Sequence, residues 1–206
     1  MVELNKLCSG MLSDELDKMG YRNQVIQGLV INREHKIFSI ARTIKIEELE
    51  TDDENIRTGL GFIGSINKGE ILCVQGSQQF AYFGELMTRL SIRQGLGGVV
   101  IGGFTRDNEF TQHTKLPIFS QGYTCKDIKG RGRVQEVDTS IIIQDVEINP
   151  GDYIFGDLDG VVVVPKECKK ELDKRLLQVV LNENNIVRDI TEGKSIEYIL
   201  NTYKEF

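Results

Sequence analysis

Apolar positions follow a helical period at the two ends of the chain and a strand period through most of its middle. Over residues 3–19, Leu4, Leu7, Met11, Leu12, Leu16 and Met19 fall at helical spacing between charged residues, and Gly20 reads as the stop. Val25–Ile31 and Lys36–Ile46 are strand-like, separated by the polar turn Asn32–Arg33–Glu34. An acidic stretch, Glu47 to Glu54, predicts a solvated loop and a helix start, with Asp52, Asp53 and Glu54 on the N-terminal face of that helix. Glu70–Gln75 predicts a strand, Ala81–Gln94 a helix closed by Gly95, and Gly98–Gly103 a short, fully buried strand. Leu116–Ser120 and Arg133–Ile148 predict further strands. Asn149–Pro150–Gly151–Asp152 and Asp157–Leu158–Asp159–Gly160 are turn signals on either side of a short strand, and Pro165 stops the run Val161–Val164. Helical patterns over Glu167–Thr191 and Ser195–Tyr203 end the sequence.

Strands and helices interleave, which predicts an α/β fold. No internal repeat, low-complexity tract or Pro/Ser-rich linker divides the sequence, so residues 1–206 are expected to form one domain. At 40% hydrophobic and 27% charged residues the composition is that of a folded chain. Its 25 basic against 31 acidic residues leave a formal net charge of −6, which disfavours non-specific nucleic-acid binding. No apolar run approaches the roughly 18 residues that span a bilayer, and the N-terminus lacks a signal-peptide pattern. The cytoplasm is the expected location. Cys8, Cys73, Cys125 and Cys168 stand singly, and His35 and His113 are far from metal-ligand spacing, so reduced, mostly buried thiols are expected rather than a zinc site.

Gly59–Gly64 matches GxGxxG, but a polar stretch precedes it and the turn Asn67–Lys68–Gly69 soon follows. The dinucleotide fingerprint needs a strand before and a helix after, so the match does not predict nucleotide binding. Two other features carry more chemistry. Gly84–Glu85–Leu86–Met87 opens a helix, where free backbone N–H groups and the positive dipole end favour an anion. Arg106–Asp107 follows the buried strand, at the carboxyl end where α/β folds bind ligands. A guanidinium there can grip a carboxylate through two hydrogen bonds, and the neighbouring carboxylate can hold a hard cation. An Arg–Asp pair capping a surface loop is the alternative, and spacing alone does not bring Glu85 beside Arg106. Lys126, Lys129, Arg131 and Arg133 form a small basic cluster that reads as a solvated loop or an ion-paired contact. His113 reads as a rim residue, and Asp157 and Asp159 as turn formers.

The sequence resembles the RraA-like family, which includes 4-hydroxy-4-methyl-2-oxoglutarate aldolases and regulators of ribonuclease E activity. The blocks that carry the likeness are LSDELDKMG (12–20), GELMTRLSIRQGLGGVVIGGFTRD (84–107), LPIFSQG (116–122), INPGDYIFGDLDGVVVVP (148–165) and ENNIVRDITEGKSIEYILNTY (183–203). The resemblance implies a swivelling β/β/α layered fold with N- and C-terminal helices, assembled as homotrimers or hexamers with the active site between subunits. It implies a divalent-metal-dependent lyase acting on 2-oxo acids, by retro-aldol cleavage of 4-hydroxy-4-methyl-2-oxoglutarate-type substrates or decarboxylation of oxaloacetate, through a pyruvate enolate. The amides of Gly84, Glu85, Leu86 and Met87 and the Arg106 guanidinium would hold the substrate carboxylate. Asp107 would bind Mg²⁺ or Mn²⁺, and Glu85 would order the metal's waters. Glu183, from a neighbouring chain's C-terminal helix, would add a further carboxylate. Two positions depart from the aldolase pattern: Glu85 stands where that pattern has Asp, and Phe110 where it has an acid, with Glu109 one residue early. The alternative within the family is a non-catalytic protein–protein regulator; that branch tends to lose the metal-binding Asp, which is present here as Asp107. No glycine-rich S-adenosylmethionine loop accompanies the methyltransferase label also attached to this family.

Overall fold

A computed structural model describes residues 3–33, 35–50 and 56–203. A 3₁₀ turn, Leu4–Lys6, leads into α1 (Ser9–Lys18). Two two-residue strands, β1 (Val25–Ile26) and β2 (Val30–Ile31), precede the long β3 (Ile37–Glu48). Then follow α2 (Ile56–Ser65), β4 (Ile71–Gln75), β5 (Ala81–Phe83), α3 (Glu85–Gln94), β6 (Gly98–Thr105), α4 (Asn108–Thr111) and β7 (Ile118–Tyr123). The last third holds β8 (Gly132–Val137), β9 (Ile141–Ile143), β10 (Val146–Ile148), β11 (Tyr153–Gly156), β12 (Val161–Val164), α5 (Lys169–Thr191) and α6 (Ile196–Thr202).

Ten strands form one mixed sheet in the order β1-β12-β11-β3-β4-β6-β7-β2, with β5 beside β6 and β8 beside β3. Its centre, β3-β4-β6-β7, is parallel, and β11, β12, β1, β2 and β8 add antiparallel. Eight strands laid flat would put β1 and β2 about 34 Å apart at the usual strand spacing. Residues 27–29 alone connect them, a reach of at most about 15 Å. The sheet therefore curls into a half-barrel.

That curl sorts the side chains of each strand by parity. On β4, Ile71 and Cys73 point inside the curl, while Leu72 and Val74 point outward under α2 and α3. On β12, Val161 and Val163 face inward, and Val162 and Val164 pack against Leu12 and Leu16 of α1 and Leu172 and Leu176 of α5. Both faces of these strands are buried, which explains their unbroken apolar runs. The hairpin β9–β10 turns on Gln144 and Asp145, both at positive φ (50° and 67°), and brings Ile141, Ile143 and Ile148 into the interior of the curl. Asp157 joins distant parts of the chain: one carboxylate oxygen accepts the Asp159 N–H (3.1 Å) and the other the Ser9 N–H (2.8 Å), capping α1.

Three expectations need correction. Residues 81–83 are a strand, not the first turn of a helix, because they pair in parallel with β6. The single strand expected over 133–148 is three strands, interrupted where Asp138, Gln144 and Asp145 take positive φ. Glu47 and Glu48 end β3 rather than begin a loop, and Arg133 on β8 pairs with Glu47 at 2.8 Å. The reading of Asp52, Asp53 and Glu54 as a helix face lies outside the described residues, as does Glu34 in the first turn.

Candidate active site

The pairing of β5 with β6 assembles the site. The two strands run parallel with Ala81 opposite Phe104 and Phe83 opposite Thr105, so the chain leaves both at the same edge. Gly84, after β5, and Arg106, after β6, are thereby adjacent, and the Arg106 N–H donates to the Phe83 carbonyl at 3.1 Å. A helix start and a strand end twenty residues apart are joined in this way.

Asp107 occupies the N-cap position of α4 with left-handed backbone angles (φ 60°, ψ 41°), which Asp tolerates better than most residues. Its carboxylate does not cap its own helix. Oδ2 instead accepts the Glu85 N–H at 2.8 Å, at the positive end of α3. Arg106 lies across the same junction, its Nε 3.6 Å from Asp107 Oδ2 and its Nη1 2.9 Å from Asp127 Oδ2. Glu85 turns away to Arg89, one helical turn on, at 2.7 Å, and the Arg89 guanidinium lies over the Phe110 ring, 4.1 Å from its centre. Position 84 has no room for a side chain: a Cβ there would collide with Asp107 Oδ2 and sit 2.8 Å from Arg106 Cγ. With the Glu85 amide taken by Asp107, the amides of Leu86 and Met87 remain without a protein acceptor among the described residues.

These groups line a cleft of about 420 Å³. Its charged edge holds Glu85, Arg89, Arg106, Asp107 and Asp127; its wall is Leu60 of α2, Leu86, Met87 and Leu90 of α3, Tyr82 and Ile128. The Tyr82 hydroxyl is buried without a hydrogen-bond partner among the described residues, and burial pushes its pKa up, so it stays protonated. It fits against α2 only because residue 59 is glycine; a Cβ at that position would collide with it. The GxGxxG match thus lies inside a helix and shapes packing.

Sequence reasoning missed Asp127. It sits within the basic run that drew attention to its lysines and arginines, and it reaches the site through an isolated bridge to Ala81. Of that run, Arg131 donates to the carbonyls of Asp127 and Lys129, and Arg133 pairs with Glu47. His113 is exposed beyond α4, apart from the cleft lining. Glu183 is exposed on α5 and lines a separate groove with Met11, Asp14 and Lys18 of α1. Within one chain it does not meet Arg106, so a second copy would have to bring it there. Cys73 and Cys168 are buried, Cys8 is half-buried and Cys125 exposed; all four are free thiols.

Among the described residues, no cluster of three or more His, Cys, Asp or Glu side chains is arranged to hold a metal. Asp107 nonetheless suits a hard cation: it is a carboxylate, 41% exposed, with Oδ2 committed to one N–H. A Mg²⁺-like ion commonly takes one or two protein carboxylates and keeps its waters. No helix among the described residues is long and apolar enough to cross a membrane.

A family model described as RraA-like, Aldolase/RraA, matches residues 9–163. Protein DlpA of Legionella pneumophila is 28% identical over 95% of this chain, but the matched region is 32% of its own length. The chain therefore spans about a third of that relative. The 4-hydroxy-4-methyl-2-oxoglutarate aldolase of Thermus thermophilus is 30% identical over 61% of this chain and 73% of its own. Among solved structures, an uncharacterized protein of Pseudomonas syringae superposes with a TM-score of 0.86 at 26% identity, covering 97% of this chain and 93% of that one. Streptomyces coelicolor RraAS2, described as an unusual member of the RNase ES inhibitor RraA family, superposes at 0.80 with 24% identity, covering 88% and 91%.

Proposed function

Because the chain belongs to the RraA-like family, we propose that it is a divalent-metal-dependent lyase that cleaves 2-oxo acids through a pyruvate enolate. The observation that carries this reading is the junction of the α3 N-terminus with Arg106 and Asp107, closed by the 2.8 Å bond from the Glu85 amide to Asp107.

The roles follow from the groups at that junction. Arg106 and the Leu86 and Met87 amides hold the 2-oxo acid carboxylate, one by charge and a planar fork, the others by N–H donors at a helix start. Asp107 would hold the cation, which supplies Lewis acidity to a chelating 2-oxo acid when bound. Cleavage breaks the C3–C4 bond and sends its electron pair into the pyruvyl half as an enolate. The C4 hydroxyl loses its proton and departs as a carbonyl compound, and a proton returns to C3. Arg106 stabilises the negative charge as it grows. Glu85, at the cleft edge, is the carboxylate available to move the proton, and Glu183 joins it where a second copy brings α5 to the cleft. The regulator alternative has the same family model behind it, whose description names both aldolase and RraA, and a likeness of fold at 24% identity; the carboxylate at Asp107 is what favours the lyase reading over it.

The test is exchange of the pyruvate C3 protons with D₂O, together with pyruvate release from oxaloacetate, in Mg²⁺, Mn²⁺ and EDTA. Both activities are expected to need metal, to lose that response in Asp107→Ala, and to vanish with pyruvate and oxalate affinity in Arg106→Ala. An unchanged metal response in the first variant, or retained oxalate affinity in the second, overturns the assignment.

A further inference from the structure

We infer that this cleft selects 2-oxo acids whose distal half is apolar and uncharged, and disfavours those with a second carboxylate. The inference deepens the lyase reading above and rests on it. A second carboxylate needs a free cation beyond the pyruvyl subsite. Among the described residues lining the cleft, the cations are Arg89 and Arg106. Arg106 is assigned to the first carboxylate and already faces Asp127 at 2.9 Å. Arg89 is held by Glu85 at 2.7 Å, and its face is covered by Phe110. The cation that Asp107 would hold is engaged by the pyruvyl half, so among the described residues lining the cleft no further cationic side chain is left to meet a second anionic group.

The rest of the wall offers the opposite chemistry. Leu60, Leu86, Leu90, Met87 and Ile128 present apolar surface next to the charged edge, and Leu86 is 74% exposed on the first turn of α3. An apolar tail extending from the pyruvyl half would cover that surface and remove it from water, at the ordinary gain per methylene. The natural reaction class is then release of pyruvate and an aliphatic aldehyde or ketone from a 4-hydroxy-2-oxo acid, with no oxidant or further cofactor involved.

The experiment compares kcat/KM of the full chain, with Mg²⁺ or Mn²⁺, for 4-hydroxy-2-oxopentanoate, its six- and seven-carbon homologues, and 4-hydroxy-4-methyl-2-oxoglutarate. Each added methylene is expected to raise kcat/KM about fourfold. The seven-carbon substrate should exceed the dicarboxylate by about tenfold or more. Leu60→Lys, at a partly exposed position, is expected to move the ratio at least about tenfold toward the dicarboxylate. Exchange of the pyruvate C3 protons, measured alongside, depends on the pyruvyl half alone. Exchange with a flat chain-length series, or with the dicarboxylate preferred, overturns the apolar-tail inference and leaves the lyase reading standing. Absence of exchange with either metal overturns both.

Discussion

Replacing Gly84 by alanine tests whether Arg106 and Asp107 must hold their observed positions. Gly84 has extended backbone angles (φ −151°, ψ −153°) that alanine also adopts, so the substitution strains no dihedral. At a helix N-cap the exchange costs at most about 1 kcal/mol, a shift of a few degrees in Tm. The new methyl group, however, lies 2.8 Å from Arg106 Cγ, where ordinary contact begins at 3.4 Å, so the side chain must retreat by 3.4 − 2.8 = 0.6 Å. Asp107 Oδ2 is closer still and must leave the Glu85 N–H, a charge-assisted bond worth about 1.5–3 kcal/mol. Misplacement of reacting groups by about 1 Å costs roughly 100-fold in rate. A loss of about 10- to 100-fold in metal-dependent pyruvate proton exchange is therefore expected, together with a fall in Tm of about 5–15 °C that leaves the protein folded at assay temperature. Exchange within twofold of the parent protein would refute the claim that Arg106 and Asp107 must hold these positions.

Three further outcomes follow from packing and charge. Gly59→Ala should destabilise the fold by about 1–3 kcal/mol through overpacking against the Tyr82 hydroxyl; adding Tyr82→Phe should restore most of that in urea unfolding, and equal stability of the single and double variants would sink the account. Asp157→Ala should cost about 1–2 kcal/mol in the same assay, since it removes the acceptor for both Ser9 and Asp159, and an unchanged midpoint would show that the cap is not needed. Burial raises the Glu70 pKa, but hydrogen bonds from the Asn67 side chain and backbone and from Arg42 outweigh it, leaving the group below its ordinary 4.5. Its stabilising contribution is thus present above that value and lost as pH falls through the lower folded value, so Glu70→Gln should flatten this part of the acid limb of the urea midpoint.

The elements most legible in the sequence are those whose burial is uniform. β4 and β6 are covered on both faces and read as continuous apolar runs, and α3 is amphipathic with a glycine on either side. The misread elements owe their structure to distant partners. Ala81–Phe83 continues straight into a helical pattern, and only its pairing with β6 makes it a strand. Three glycines in α2 argue locally against a helix, at about 1 kcal/mol each relative to alanine, yet packing against Tyr82 demands one of them. At the site, Arg106 and Asp107 are visible as a motif, whereas their contact with the α3 start depends on parallel strand pairing that spacing does not encode. Asp127 comes from a third segment and is masked by its basic neighbours.

The three residues that tie β1 to β2 have a consequence for the protein at high concentration. The sheet path ends on both sides in strands of two residues, held close together by their own covalent link. Neither end offers an extended row of free N–H and C=O groups on which another chain could build a strand. Cutting or lengthening that tether would free the two short end strands to leave separately, and loss of either would bare the longer β7 or β12 as a new edge.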